Sequence, residues 1–195
     1  RMKNQPWRWQ LCQKHNWRRR MKPGENKKAG LITDFLVKDH GRLEGLLESA
    51  VAQVGSVDQG AYDQFRAGLL RHIGMEEKIL LPAAQRIRGG EPLPIAAKLR
   101  LDHGAIASLL MPPPTAAVIA KIRAVLKVHN TIEEGPGGLY ETCDELASSE
   151  AAQLLAKLQA APELAVLPCS DSPAVMPAVQ RALERAGYDV IDEKA

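Results

Sequence analysis

Aromatic residues are scarce, at 4% of the 195-residue sequence, β-branched runs are few, and no alternation of apolar and polar residues lasts more than a few positions. These absences argue against a sheet-based core. They leave an all-α class built from the Ala, Leu, Glu, Lys and Arg that dominate the chain. Cysteine is nearly absent as well. Cys12, Cys143 and Cys169 stand far apart with no Cys-x-x-Cys pair, which speaks against a disulfide framework or a thiolate metal knuckle and favours a reducing, cytoplasmic setting. No apolar run approaches the roughly 18 residues of a membrane span, and no charged-then-apolar export signal opens the chain. Kinase, protease, nucleotide-binding and DNA-reading motifs are missing too. What remains is 45% hydrophobic content, ordinary for a globular chain with a sizeable core.

The net charge of +3 conceals a division. Residues 1–28 carry +9 and the remainder −6. All three tryptophans, Trp7, Trp9 and Trp17, lie in the basic arm with His15. Basic residues interleaved with aromatics are one way to hold nucleic acid or an anionic membrane surface. The arm lacks helical periodicity, however, so it reads as disordered and nucleic acid is disfavoured as a partner. The sequence opens at Arg1, and Met21 reads as a candidate natural start.

From Leu31 the pattern becomes regular. Leu31, Phe35, Leu36, Leu43, Leu46, Leu47 and Ala50 keep helical spacing until Gly55-Ser56. Asp58 is placed to cap a second helix through Tyr62, Phe65, Leu69 and Leu80, which Pro82 should kink without ending. A third helix follows Pro92 or Pro94 and stops at Pro112-Pro113-Pro114. The fourth begins near Thr115 and breaks at Gly135-Pro136-Gly137-Gly138. Residues 139–195 read as appended, with short helices near 139–147 and 150–160, a linker at 168–173 and an amphipathic helix at about 174–186. The domain reading is an arm at 1–28, a helical domain at 31–146 and a helical extension at 147–195.

The remaining four histidines fall in a doubled pattern: Asp39-His40-Gly41, His72-x-x-x-Glu76, Asp102-His103-Gly104, His129-x-x-x-Glu133. Residues four apart share a helix face, so each His-x-x-x-Glu offers an imidazole and a carboxylate to one point. The repeat predicts two helical hairpins of one design, assembled into an up-down-up-down antiparallel four-helix bundle. Four imidazoles and two carboxylates exceed the four ligands of a closed zinc site. Mixed nitrogen and oxygen donors suit iron, manganese or zinc, and Glu76 and Glu133 are the natural bridges between two cations. The expected metal ligands are therefore His40, His72, Glu76, His103, His129 and Glu133.

Over residues 31–146 this order of ligands resembles the hemerythrin-like, or HHE cation-binding, domain. The resemblance implies a non-haem, oxo- or hydroxo-bridged di-iron centre that meets dioxygen or a related diatomic ligand as carrier, store or sensor. An enzyme of the same fold, reducing peroxide or nitric oxide or oxidising ferrous iron, is the alternative, and an iron-handling interaction module a third. Two departures from the oxygen carriers stand out. Those proteins have a second histidine four residues on in the third helix, where this chain has Ala107, with Glu44 as a candidate replacement donor. They also place the last carboxylate five residues after the fourth-helix histidine, where this chain has Glu134 rather than Glu133. Of the other polar residues, Asp39 and Asp102 read as surface charge, Glu77 and Glu134 as exposed rim acids, and Tyr62 and Tyr140 as packing residues.

Overall fold

The computed structural model describes residues 30–191; the basic arm at 1–28, with its tryptophans and Cys12, lies outside them. Every element among the described residues is helical. α1 spans Leu31–Ala50, α2 Gln59–Met75, α3 Leu81–Ile87, α4 Ala96–Leu109, α5 Ala116–Glu134, α6 Leu139–Ala147, α7 Ala151–Gln159 and α8 Val175–Ala186. None of them is long and apolar enough to cross a membrane.

The boundaries follow from local chemistry. Asp58 accepts from the backbone N–H of Ala61 at 2.9 Å, and the Thr115 hydroxyl from that of Val118 at 3.2 Å, so each side chain satisfies a donor the first helical turn leaves free. The proline triplet ends α4. Pro82 has no N–H and its ring would crowd the carbonyl four residues back. The chain accommodates it by passing through a π-helical turn, Glu76–Leu80, where the Leu81 N–H bonds to the Glu76 carbonyl, and then resumes as α3. The kink expected at Pro82 is thus a one-turn widening, and it falls on a candidate ligand, a common position for such turns.

The apolar core has two clusters, and a histidine marks the change from one to the other along each long helix. In α1, Ile32 and Leu36 belong to the first cluster, Leu43 and Leu47 to the second. In α2 the order reverses, with Phe65 and Leu69 in the second cluster and Met75 in the first. α4 repeats the order of α1, with Leu99 before His103 and Ala105, Ile106 and Leu109 after it. α5 carries Val118, Ile122 and Val125 in the second cluster, and Ile132 packs on the first.

The segments after residue 138 are part of this core. α6 packs against α1 and α5, α7 against α1, and α8 against α4. Leu139 and Cys143 join the first cluster, and Val175, Val179 and Leu183 the second. α6 is also tied to the start of α1, where Asp144 accepts from the backbone N–H groups of Ile32 and Thr33, both at 3.0 Å, and from the Thr33 hydroxyl at 2.6 Å. A carboxylate there satisfies free donors and faces the positive end of the helix dipole.

Candidate metal centre

All six candidate ligands converge where the two clusters meet. His72, Glu76, His103, His129 and Glu133 are at most 4% exposed, and the His40 side chain is 9% exposed. Glu76, His103, His129 and Glu133 bring ligand atoms within 4.8 Å of one another, and so do His40, His72 and Glu133. The two carboxylates are divided between these groups. Glu76 directs Oε1 to His72 Nε2 at 3.4 Å and Oε2 to His103 Nε2 at 3.1 Å. Glu133 directs Oε2 to His40 Nε2 at 3.5 Å and Oε1 to His129 Nε2 at 3.1 Å.

These inward atoms fit a cation better than they fit one another. Glu76 Oε2, His103 Nε2 and Glu133 Oε1 are buried without a well-formed hydrogen bond, although the two carboxylate oxygens stand 3.1 and 3.7 Å from the imidazole nitrogen. Buried polar atoms without partners are costly and rare, and three of them gathered together could serve as donors to a metal ion.

The outer nitrogens explain the orientation of the rings. His72 Nδ1 lies 2.8 Å from Asp39 Oδ2, His103 Nδ1 2.6 Å from Glu77 Oε1, and His40 Nδ1 2.5 Å from Glu134 Oε1. His129 Nδ1 stands 3.6 Å from Asp102 Oδ2, a looser ion-pair distance. Each carboxylate is the chain neighbour of a candidate ligand on its own helix and serves the histidine of another. α1 serves α2, the π turn after α2 serves α4, α4 serves α5, and α5 serves α1. Carboxylates so placed fix the tautomer, leaving Nε2 lone pairs directed inward, and raise ligand basicity.

This ring of contacts corrects four expectations. Asp39 and Asp102 are buried rather than surface charges, because one residue along a helix turns a side chain about 100° and points it at the adjacent helix instead of solvent. Glu77 and Glu134 sit at the rim with side chains 25% and 35% exposed, yet both are engaged by histidines. Glu134 stays outside the two groups that include Glu133. The adjacent pairs Asp-His and Glu-Glu, each occurring twice at matching places in the repeat, were the available signal. Glu44 is exposed and lines an open groove instead of entering either group.

Tyr140 is the second correction of kind. Its hydroxyl is no peripheral packing group, because it reaches the inside of the site, donating to Glu76 Oε1 at 2.7 Å. Gly138 makes this reach available. A Cβ there would stand 2.6 Å from the carbonyl oxygens of both Ile132 and Glu133, so only glycine lets α6 fold back tightly against the end of α5.

The protonation states carry the same imprint. Burial pulls His72 and His103 down, but their carboxylate neighbours outweigh it and hold them at about 10 and about 11. For His129, too, burial is outweighed, by Asp102 and Glu133. His40 goes the other way, lowered by burial and by the charge of His72. Burial raises Asp39, but His72 and Arg42 prevail and bring it to about 2. Burial and the two glutamates push the Tyr140 phenol well up, and burial, with the charges of Asp144 and Glu76, puts Cys143 at about 12, an inert thiol. In the metal-free protein, protons on imidazoles balance the buried carboxylates.

The hemerythrin HHE cation binding domain model matches residues 31–161. Searches of the curated proteins and of the solved structures give no match.

Proposed function

The chain belongs to the hemerythrin HHE cation-binding family, and on that premise we propose that it holds two iron ions and binds dioxygen or a related small diatomic ligand. The observation that carries this reading is the division of each glutamate between two histidine groups. His40 and His72 would hold one cation, His103 and His129 the other, with Glu76 and Glu133 bridging. Iron supplies reversible redox change and affinity for diatomic ligands, while manganese or zinc would satisfy the same donors with different reactivity. The alternating order of the two apolar clusters along α1, α2, α4 and α5 supports an up-down-up-down four-helix bundle around this layer.

The chain's own residues set what can enter. Burial of the ligands limits an incoming molecule to a few atoms and excludes bulk water. The least buried candidate ligand, His40, adjoins a groove of about 630 Å³ bounded by α1, α2 and α5 that also includes Phe65, Arg123, Lys127 and Glu134. This groove is the natural approach for a small solute. The outer carboxylates hold imidazole protons on Nδ1, keeping Nε2 available for metal.

The experiment is elemental analysis of the purified chain with optical spectra before and after admitting oxygen to the anaerobic, reduced protein. Two irons per chain and a spectral change on oxygen addition are expected. One zinc and no iron under both conditions would overturn the di-iron reading.

A further inference from the structure

Nothing in the repeat accounts for the position of the Tyr140 hydroxyl. Its Oη lies 3.2 Å from His72 Nε2, 3.2 Å from His40 Nε2, 2.7 Å from Glu76 Oε1 and 3.1 Å from Glu133 Oε2. It therefore touches every member of one half of the cage through that member's inward-facing atom. Donors that share one cation, each about 2.0–2.2 Å from it, stand about 2.8–3.6 Å apart at tetrahedral to right angles. Four contacts between 2.7 and 3.2 Å have that spacing, or fall just short of it.

Hydrogen bonding does not account for them equally well. A phenol has one proton, and here the shortest contact assigns it to Glu76. The Glu133 oxygen at 3.1 Å then meets an oxygen with no proton between them. His40 engages Glu134 through Nδ1, so in its neutral form Nε2 presents a lone pair to the phenol oxygen. A cation bound among these atoms turns lone-pair oppositions into bonds.

We infer that Tyr140 is a metal ligand, its phenolate oxygen completing the half-site of His40, His72, Glu76 and Glu133. The inference rests on the metal-binding part of the function proposed above and not on its oxygen chemistry. Ligation exchanges the O–H bond for an O–metal bond; the proton leaves to solvent, and no electron is transferred. Tyr140 thereby adds a donor to the half-site of α1 and α2, whereas α4 carries Ala107 four residues after His103 and adds none to the other half. The half-site of His40 and His72 gains a fifth protein donor. The half built on His103 and His129 keeps four.

The test uses the full chain stripped of metal by chelation and titrated with Zn(II), then separately with Fe(III). The chain has three tyrosines, so the double variant Tyr62→Phe/Tyr188→Phe leaves Tyr140 as the only phenol. In the unmodified chain and in that double variant, Zn(II) is expected to produce a near-ultraviolet phenolate difference spectrum. Fe(III) should give a visible phenolate-to-iron charge-transfer band with phenolate ring modes in resonance Raman spectra. Tyr140→Phe should lose all three signals and bind its first metal on the order of 10-fold more weakly or worse. Metal binding without phenolate signals in the double variant would overturn Tyr140 as ligand and leave the metal centre standing. No binding of either metal would overturn both. The double variant keeps the test decisive if Tyr140→Phe fails to fold.

Discussion

At the scale of single residues, the centre distinguishes acids that adjoin one another in sequence. Glu133 enters the cage, whereas Glu134 reaches the outer nitrogen of His40. Glu133→Gln removes a negative charge shared by both proposed metal positions, so metal content measured by elemental analysis should drop from the expected two per chain to one or none. Glu134→Gln should retain both metals, and Asp39→Asn should weaken binding about 10–100-fold by loosening His72. Equal loss in Glu133→Gln and Glu134→Gln would contradict this ranking. The protonation pattern yields a pH dependence. His72 is raised from 6.5 to about 10 in the folded, metal-free chain. The stabilisation it represents is complete below 6.5 and lost as pH rises through about 10. Asp39 is lowered from 3.8 to about 2, so its contribution is present above 3.8 and lost as pH falls through about 2. Thermal melts of the chelated protein should therefore decline from pH 6.5 toward 10. Metal-loaded protein should lack that decline, because its imidazoles carry no proton on Nε2. Binding metal displaces those protons, so affinity should fall as the solution is acidified.

At the scale of elements, the sequence places the helices closely because their signals are local. Asp58, Thr115, the proline triplet and the glycines after residue 134 act through their own backbone neighbours. The π turn is less legible. Pro82 announces a distortion, but a kink and a widened turn are equal solutions until packing selects one that keeps Glu76 inward. α6 is legible only as a short helix near 139–147. Its docking depends on Asp144 meeting the start of α1, more than 100 residues away in sequence, and on the close turn at Gly138. Gly138→Ala should destabilise the fold by roughly 1–3 kcal/mol and displace Tyr140, read as a lower midpoint in urea and weaker Zn(II) binding. Unchanged values for both would mean that α6 docks independently of that turn.

At the scale of the whole molecule, the segment beyond residue 147 contributes to the core that encloses the site. α8 buries Val175, Val179 and Leu183 in the second apolar cluster. Lys98 on α4 joins it to the centre, pairing with Asp102, donating to the Ala186 carbonyl at 3.0 Å and lying 4.6 Å over the Tyr188 ring. Leu183→Ala should cost about 2–5 kcal/mol by leaving a cavity in this layer, measurable by denaturant unfolding; a loss below 0.5 kcal/mol would show that α8 is peripheral. The amino-acid sequence by itself determined the all-helical class and indicated the helix ends and the six candidate donors, because helical periodicity and capping are encoded within a few residues. Tertiary structure alone decided which helix faces which. That choice sends Asp39, Glu77, Asp102 and Glu134 to histidines on other helices and Tyr140 into the cage. No spacing along one helix can specify such contacts, because each depends on the direction from which a second helix arrives.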